Sequence, residues 1–380
     1  MKKVFFMVVL LTLSLMFLAA GQGVFAADEA WRIGTIYPLS GPNSKNGVKN
    51  FDGVKIATDM VNETGGVAGK KVVLVSADAP DPQAAASEAN RLITNEKITA
   101  IIGTQSSSLS MAATVVAEKN KIFYIETEGV SGLITARGFK YIFRTTFSSG
   151  MMASQAIEYV TGTIAPKMGK NAKDLRVAIV HEDGGFGTAV SRGLTANCKK
   201  QRLNVVSTQG YSSKSTDLSG LILKLKQAKP DIILAAQYIN DAILFHRQAR
   251  ELRLKGMIIG STAGQGNPDF YKVVERYKKS HKGEYPNPTS FVGFAGAWTL
   301  YKFILPNAGS LAPEKLRQAA LSLDVPRGRG VLNWGIKFAG PDAKNAGQNL
   351  LASAGINQWQ DGKLRLIFPR EVAGADLVIK

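Results

Sequence analysis

Apolar residues in this chain form short runs that alternate with longer segments of helical periodicity. Between residues 33 and 108, apolar runs at 72–75 and 100–102 each follow an amphipathic segment. Short apolar runs separated by helices are typical of parallel strands in an α/β sheet. In open sheets of this kind, ligands bind beyond the carboxyl ends of the strands, where helix N-termini offer N–H groups. We therefore predict a small-molecule site at this edge of the sheet.

A second series of the same kind runs from residue 176 to residue 261. It predicts strands at 177–180, 205–208, 232–235 and 257–259, with helices at 188–201, 218–228 and 241–252 between them. Further helices are predicted at 150–164, 270–281, 291–305 and 313–323. Near the C-terminus, Asp361-Gly362 predicts the turn of a hairpin. A chain of 380 residues has room for two α/β lobes of ordinary domain size.

The N-terminus has the pattern of a secretory signal peptide. Lys2 and Lys3 precede an apolar run over 4–20, and small side chains follow up to Ala26. This pattern predicts a signal peptide over 1–26 that is cleaved after Ala26, and therefore an exported, periplasmic protein. The alternative is an uncleaved anchor helix, because the run approaches the length that spans a membrane. No cysteine follows the run, which argues against a lipid anchor.

Charge and cysteine content exclude some classes of protein. The chain has 47 basic and 29 acidic side chains, a formal charge of +18. The lysines are scattered without interleaved aromatic residues, which favours a solvated surface over a nucleic-acid interface. The single cysteine, Cys198, excludes an internal disulfide framework, and its helical spacing from Val190 and Leu194 predicts a buried thiol.

Motifs for catalysis, metals and cofactors are weak. The three histidines lie in different predicted elements, and the chain contains no GxSxG, HExxH or CxxC pattern. His181, Glu182 and Asp183 are consecutive, so neighbours on a strand would point to opposite faces rather than to one metal. The glycines of "EDGGFG" lack the GxGxxG order of a dinucleotide site. We therefore predict a binding protein rather than an enzyme, with no cofactor.

Several segments of the chain resemble one family. The stretch 41–108, "GPNSKNGVKNFDGVKIATDMVNETGGVAGKKVVLVSADAPDPQAAASEANRLITNEKITAIIGTQSSS", resembles substrate-binding proteins of branched-chain (Leu/Ile/Val-type) amino acid ABC transporters. Similar matches follow at "GFKYIFRTT", "RVAIVHEDGGFG", "AAQYINDAILFHRQARELRL" and "GQNLLASAGINQWQDGKLRLIFP". The resemblance implies a type I periplasmic binding protein. That fold has two Rossmann-like three-layer lobes, joined by three crossover segments, that close on a ligand.

The resemblance also implies how the chain divides. We expect the first lobe to contain residues 27–146 plus 264–348, and the second lobe residues 147–263 plus 349–380. The three crossovers are expected near 145–148, 262–266 and 347–351.

Three consecutive serines are candidate ligand contacts. Ser106, Ser107 and Ser108 lie where a strand ends and a helix begins, so their hydroxyl and N–H groups could receive a carboxylate. The alternative is capping of the helix, for which one serine suffices. By the resemblance, Ser107 occupies the ligand-contacting serine position. Tyr37, at the end of the first strand, is expected to line the mouth of the site with Ser40.

The loop "ETEGVS" is a further candidate. Glu126 and Glu128 could pair with a ligand ammonium group, or they could be solvent-facing loop acids. By the resemblance, this loop contacts the ligand. Glu128 then stands where a small residue is usual, and Val130 stands where a threonine hydroxyl is expected.

Aromatic candidates come from the second series. By the resemblance, Phe186 stands where a tyrosine is frequent, and Tyr238 lies near another aromatic ligand contact. Each ring could equally belong to the core. Asp183 and Asp241 are expected on the same rim of strand ends, where acidic residues are common.

One departure from the family lies after residue 273. Family members usually have a strand and a loop between "GQGNPDFYKV" and "VERYKKSHKGEYP", which are contiguous in this chain. The function expected from the resemblance is capture of a small amino acid, or a related carboxylate or amide, by a monomer that delivers it to ABC permease subunits. The alternative is an extracytoplasmic sensor module that reports its ligand to a membrane receptor.

Overall fold

The computed structural model describes residues 30–263, 268–330, 332, 334–360, 363–370 and 373–379. The predicted signal peptide and the predicted turn at Asp361-Gly362 lie outside these residues. None of the described helices is long and apolar enough to cross a membrane.

The first sheet has five parallel strands in the order β2-β1-β3-β4-β5. The strands are β1 (Trp31–Tyr37), β2 (Val72–Asp78), β3 (Ala100–Gly103), β4 (Phe123–Glu126) and β5 (Ile142–Arg144). They are connected by helices α1 (Ser44–Glu63), α2 (Pro82–Thr94) and α3 (Ser107–Lys119). Every neighbouring pair is parallel, which confirms the predicted topology.

The second sheet has four parallel strands in the order β7-β6-β8-β9. The strands are β6 (Arg176–Glu182), β7 (Asn204–Tyr211), β8 (Ile232–Ala236) and β9 (Met257–Ile259). The helices of this part are α4 (Ser149–Tyr159), α5 (Gly185–Lys200), α6 (Ser219–Ala228) and α7 (Ile239–Glu251). A π-helical turn, Val160–Ile164, continues α4.

The remainder of the described chain adds three helices of nine residues or more and a small antiparallel sheet. The helices are α8 (Pro268–Ser280), α9 (Pro288–Thr299) and α10 (Pro313–Leu321). Strands β10 (Ser261–Ala263), β11 (Ala354–Gln360) and β12 (Lys363–Phe368) form the small sheet, in which β11 and β12 are the predicted hairpin. Helix α8 runs without interruption through residue 273, the place of the predicted departure from the family. No further strand joins the second sheet beyond β9 among the residues described.

Each large sheet is covered by helices on both faces, and successive side chains along its strands point to the two faces in turn. In the first sheet, Ile101 and Tyr124 face α2 and α3, whereas Ile102 and Phe123 face the core shared with α1 and α9. Side chains on a strand alternate between faces, so a sheet covered by helices on both sides needs almost continuous apolar runs. The second sheet follows the same rule, with α6 and α7 on one face and α4 and α5 on the other. The thiol of Cys198 is fully buried in this core, which confirms its predicted place.

A buried arginine connects distant segments of the chain. The guanidinium of Arg144, at the end of β5, donates to the carbonyl oxygens of Gly129 (3.0 Å) and Ser131 (2.6 Å) and to Gln348 Oε1 (2.7 Å). Burial lowers the pKa of Arg144 to about 10, so the group stays charged at neutral pH. The Gln348 amide in turn donates to the carbonyl oxygen of Thr146 (2.8 Å). One cation therefore holds the loop after β4 and two segments separated by about two hundred residues.

We expect Arg144→Ala to lower the free energy of unfolding by about 3 kcal/mol or more, because several buried oxygen atoms would lose their donor. The control is Arg192→Ala, which removes an exposed guanidinium from α5 and should change stability by no more than about 0.5 kcal/mol. Urea denaturation followed by circular dichroism measures both. Equal losses in the two variants would contradict a structural role for the buried network.

Candidate functional site

A cavity of about 290 Å³ lies beyond the carboxyl ends of strands from both large sheets. From the first sheet it receives the start of α3 and the loop after β4. From the second sheet it receives the starts of α5 and α7. The N-terminus of α9, residues 146–147, Asn46 on α1 and Met152 on α4 complete the described lining. This is the place where open α/β sheets bind ligands, and its size suits a small molecule.

The serine run divides into three roles. Ser106 is the N-cap of α3, and its side chain accepts a hydrogen bond from the N–H of Leu109 (3.4 Å). Ser107 Oγ accepts from the N–H of Ser131 (3.0 Å), so its own proton is available to another acceptor. Both residues line the cavity. Ser108 does not line it and lies against Gly185, where an added Cβ would approach its Oγ to 3.1 Å.

Glu126 lies beneath the cavity rather than in its lining. Its side chain is fully buried and accepts from the N–H groups of Gly129 (2.6 Å), Glu128 (2.9 Å) and Thr104 (3.3 Å). These bonds fix the course of the loop that follows β4. Burial nevertheless raises the pKa of Glu126 to about 7, because desolvation outweighs the hydrogen bonds. The side chain is neither a solvent-facing loop acid nor part of the cavity wall.

Glu128 does line the cavity, between two helices. Its Oε2 accepts from Asn50 Nδ2 (2.7 Å) on α1, and its Oε1 accepts from Thr289 Oγ1 (2.9 Å) on α9. These helices pack backbone to backbone, and a Cβ on Gly53 or Gly293 would collide with the facing helix. Burial raises the pKa of Glu128 to about 8, and the charge of Glu126 contributes to the rise.

Two aromatic rings form the opposite wall. Phe186, in the first turn of α5, and Tyr238, before α7, lie with ring centroids 5.1 Å apart and planes at 45°. Both line the cavity, as does Val130 from the loop after β4. Such a tilted pair of rings presents an apolar surface that suits the hydrocarbon part of a ligand.

Three further candidates do not line the cavity. Tyr37 is only 1% exposed, and its hydroxyl is 3.1 Å from Thr127 Oγ1, so it lies below the cavity and not at its mouth. Asp183 is exposed, and its N–H donates to the carbonyl oxygen of Tyr211 (2.8 Å). Asp241 is buried and accepts from Tyr211, so it too is engaged within the second sheet.

The sequence did not single out the remaining described residues of the lining. These residues come from segments that carry no ligand-binding signal of their own: Asn46, Gln105, Thr146, Phe147, Met152, Gln237, Asn287, Pro288, Thr289 and Val292. Only Gln105, beside the serine run, and Gln237, beside Tyr238, adjoin residues that the pattern had singled out. The described residues contain no cluster of three or more His, Cys, Asp or Glu side chains that could hold a metal ion.

Comparison with protein families and relatives supplies the context for this site. Residues 30–272 match the model of a family described as periplasmic binding protein. The chain is 32% identical to Leu/Ile/Val-binding protein homolog 8 from Brucella suis, over 97% of this chain and 99% of that protein. That alignment extends over 407 positions, more than the 380 residues here, so the relative contains residues that this chain lacks.

Solved structures share the fold. A leucine-binding protein, LivK, from Thermotoga maritima is 23% identical, with a TM-score of 0.75 over 89% of this chain and 97% of that one. A solute-binding protein of an ABC transporter from Rhodopseudomonas palustris, in complex with 3,4-dihydroxybenzoic acid, is 20% identical. Its TM-score is 0.74 over 88% of this chain and 95% of that one. These similarities confirm the predicted α/β fold of type I periplasmic binding proteins.

The raised pKa of Glu128 predicts how stability depends on pH. Between its ordinary pKa of 4.5 and about 8, the folded protein keeps a proton that the unfolded chain has lost. Stability therefore falls as pH rises through this window. Glu128→Gln removes this titration, so the variant should gain stability relative to wild type by about 1 kcal/mol or more between pH 5 and pH 8.

Urea denaturation at several pH values measures that difference. The control is Glu158→Gln on α4, which removes an exposed carboxyl and should follow wild type at every pH. A constant difference between Glu128→Gln and wild type across the window would refute the raised pKa.

Proposed function

This chain belongs to the family of periplasmic binding proteins, and from that premise we propose that it captures a small amino acid or a related carboxylate or amide. It delivers this solute to the permease subunits of an ABC transporter. The family consists of extracytoplasmic binding proteins rather than enzymes. In our proposal the protein acts as a monomer in the periplasm after cleavage of the signal peptide behind Ala26.

The observation that carries this proposal is the two-sided lining of the cavity. Ser106 and Ser107 lie at the start of α3, beside the first sheet, whereas Phe186 and Tyr238 lie at the starts of α5 and α7, beside the second sheet. A ligand that touches both sides stabilises the arrangement in which the two sides are close. Membrane subunits could then distinguish the loaded protein from the empty one by its shape.

The proposed division into lobes follows the sheets. We assign residues 27–146 plus 264–348 to the first lobe and 147–263 plus 349–380 to the second. Two of the proposed crossovers, 145–148 and 347–351, are hydrogen-bonded to each other through Asn349 Nδ2 and the carbonyl oxygen of Thr145 (3.0 Å). The third, 262–266, leads from β10 into α8. The first two segments lie side by side, and this arrangement suits a hinge.

The ligand's orientation follows from the chemistry of the two walls. Leucine and 3,4-dihydroxybenzoic acid, named for two structural relatives, both have a carboxylate and an apolar body. In this chain the carboxylate would meet the Ser106 and Ser107 hydroxyls and the N-terminus of α3. The apolar body would lie against Phe186 and Tyr238.

We expect at least one amino acid, amide or aromatic acid to raise the melting temperature of the purified mature protein. A ligand at 100 times its dissociation constant should add about 2.7 kcal/mol of stability. A thermal-shift screen measures this directly. If no compound of these three classes shifts the transition, the proposed ligand chemistry is wrong.

Ser107→Ala should weaken a ligand from that screen about tenfold, or about 1.4 kcal/mol, because the hydroxyl proton that Ser107 offers would be lost. Helix capping should survive, since Ser106 is the cap. Isothermal titration calorimetry measures the affinity, and Ser213→Ala, on an exposed loop, is the control. Unchanged affinity in Ser107→Ala would show that the serine serves only the fold.

A further inference from the structure

The described lining of the cavity has one carboxyl group and no cationic side chain to balance it. Among the lining residues that the structure describes, Glu128 is the single acid, and none is Lys, Arg or His. Residues 264–267 read Gly-Gln-Gly-Asn, so that stretch of sequence adds no charge either. No described lining residue can therefore balance a negative charge in this cavity, whereas a cationic solute can. A solute without a cationic group would leave Glu128 uncompensated or un-ionised.

A second acceptor in the lining also lacks a donor. Gln105 is 3% exposed, and its Oε1 is buried without a hydrogen-bond partner in the described structure. A buried oxygen of this kind is costly, and such groups are usually satisfied by a donor. Gln105 and Glu128 thus line one cavity as two acceptors. The hydroxyls of Ser106 and Ser107, in contrast, can donate.

We infer that Glu128 selects the solute by charge, an inference that rests on the proposed function. It receives a protonated amine of the solute, whose carboxylate lies at the serine hydroxyls, and it releases its own proton when that amine binds. The amine keeps its proton throughout. The proton of the Glu128 carboxyl passes to solvent, so an ammonium–carboxylate pair replaces a neutral carboxyl group. This narrows the ligand to an amine-bearing solute and makes its capture dependent on pH.

The surroundings of Glu128 explain why the empty site holds a proton. Its two hydrogen-bond donors, Asn50 and Thr289, are neutral and do not supply a counter-charge. Burial raises the pKa of the carboxyl to about 8. An arriving ammonium group supplies the missing charge and so favours the ionised form.

The other titratable groups that act on Glu128 are acids. Glu126 lies on the loop side, Tyr37 below the cavity and Tyr238 across it, and each interacts electrostatically with Glu128. None of them can neutralise a carboxylate. The ionic side chains of α1 near Asn50 pair with the segment that follows α8 instead. None of these described groups therefore supplies a counter-charge to Glu128, and the amine of the solute can supply it.

The test uses matched pairs of compounds that differ only in the amine. Each amino acid is titrated calorimetrically beside its desamino acid, for example L-leucine beside 4-methylpentanoate and L-phenylalanine beside 3-phenylpropanoate. At least one amino acid should bind, and at least tenfold more tightly than its desamino partner. Its titrations at pH 7 in phosphate and in Tris should differ in heat by the amount expected for release of about one proton.

Variants separate this inference from the general function. Glu128→Gln keeps the shape of the un-ionised carboxyl but cannot acquire its negative charge. The amino acid should therefore bind at least tenfold more weakly, with no proton release. The affinity of wild type should rise up to tenfold per unit between pH 6 and pH 7.5, and that of Glu128→Gln should stay level. Glu128→Ala should behave like Glu128→Gln, and Glu158→Gln like wild type.

Three results would overturn the inference. Equal or tighter binding of the desamino acids would refute selection by Glu128, while the solute-binding function would stand. Binding of no compound at all, amino or desamino, would refute both this inference and the proposed ligand chemistry. Loss of affinity in Glu128→Gln with proton release unchanged would refute the assignment of the proton to Glu128.

Discussion

The buried guanidinium of Arg144 is the interaction on which the rest of this structure depends. It lies at the end of β5, and its hydrogen bonds reach the carbonyl oxygens of Gly129 and Ser131 on one side and Gln348 on the other. A buried charge is tolerated only where its donors are satisfied. The loop after β4 and the segment around Gln348 must therefore take the positions that the guanidinium dictates. These bonds also fix part of the cavity lining. Val130, which lines the cavity, lies between Gly129 and Ser131 in sequence, and the N–H of Ser131 donates to Ser107 Oγ.

A second constraint is the close approach of α1 and α9. Gly53 and Gly293 allow the two backbones to touch, and this contact places Asn50 and Thr289 on either side of Glu128. The acid is held by neutral donors in a cavity whose described lining has no cation. In our proposal the charge of this half-buried carboxyl group is set by the solute that occupies the cavity.

The second sheet is small in the part of the chain that is described. It ends at β9, and α8 is a continuous helix over Pro268–Ser280. The family match likewise ends at residue 272. The cavity nonetheless has walls from both sheets, because its second-sheet residues, Phe186 and Tyr238, precede β9 in sequence. Helix α8 lies after the elements that supply those rings.

The sequence by itself determined the alternation of strands and helices, the parallel sheets and the burial of Cys198, because these follow from local periodicity. Ser106, Ser107 and Glu128 came forward because they follow strand ends, and Phe186 and Tyr238 came forward through the resemblance to the family. Only the tertiary structure placed Tyr37 and Glu126 beneath the cavity, because their depth depends on the helices packed above them. Only the tertiary structure joined Asn50 and Thr289 to Glu128. Asn50 is 78 positions and Thr289 is 161 positions away along the chain, and they meet Glu128 through helix packing that no local pattern encodes.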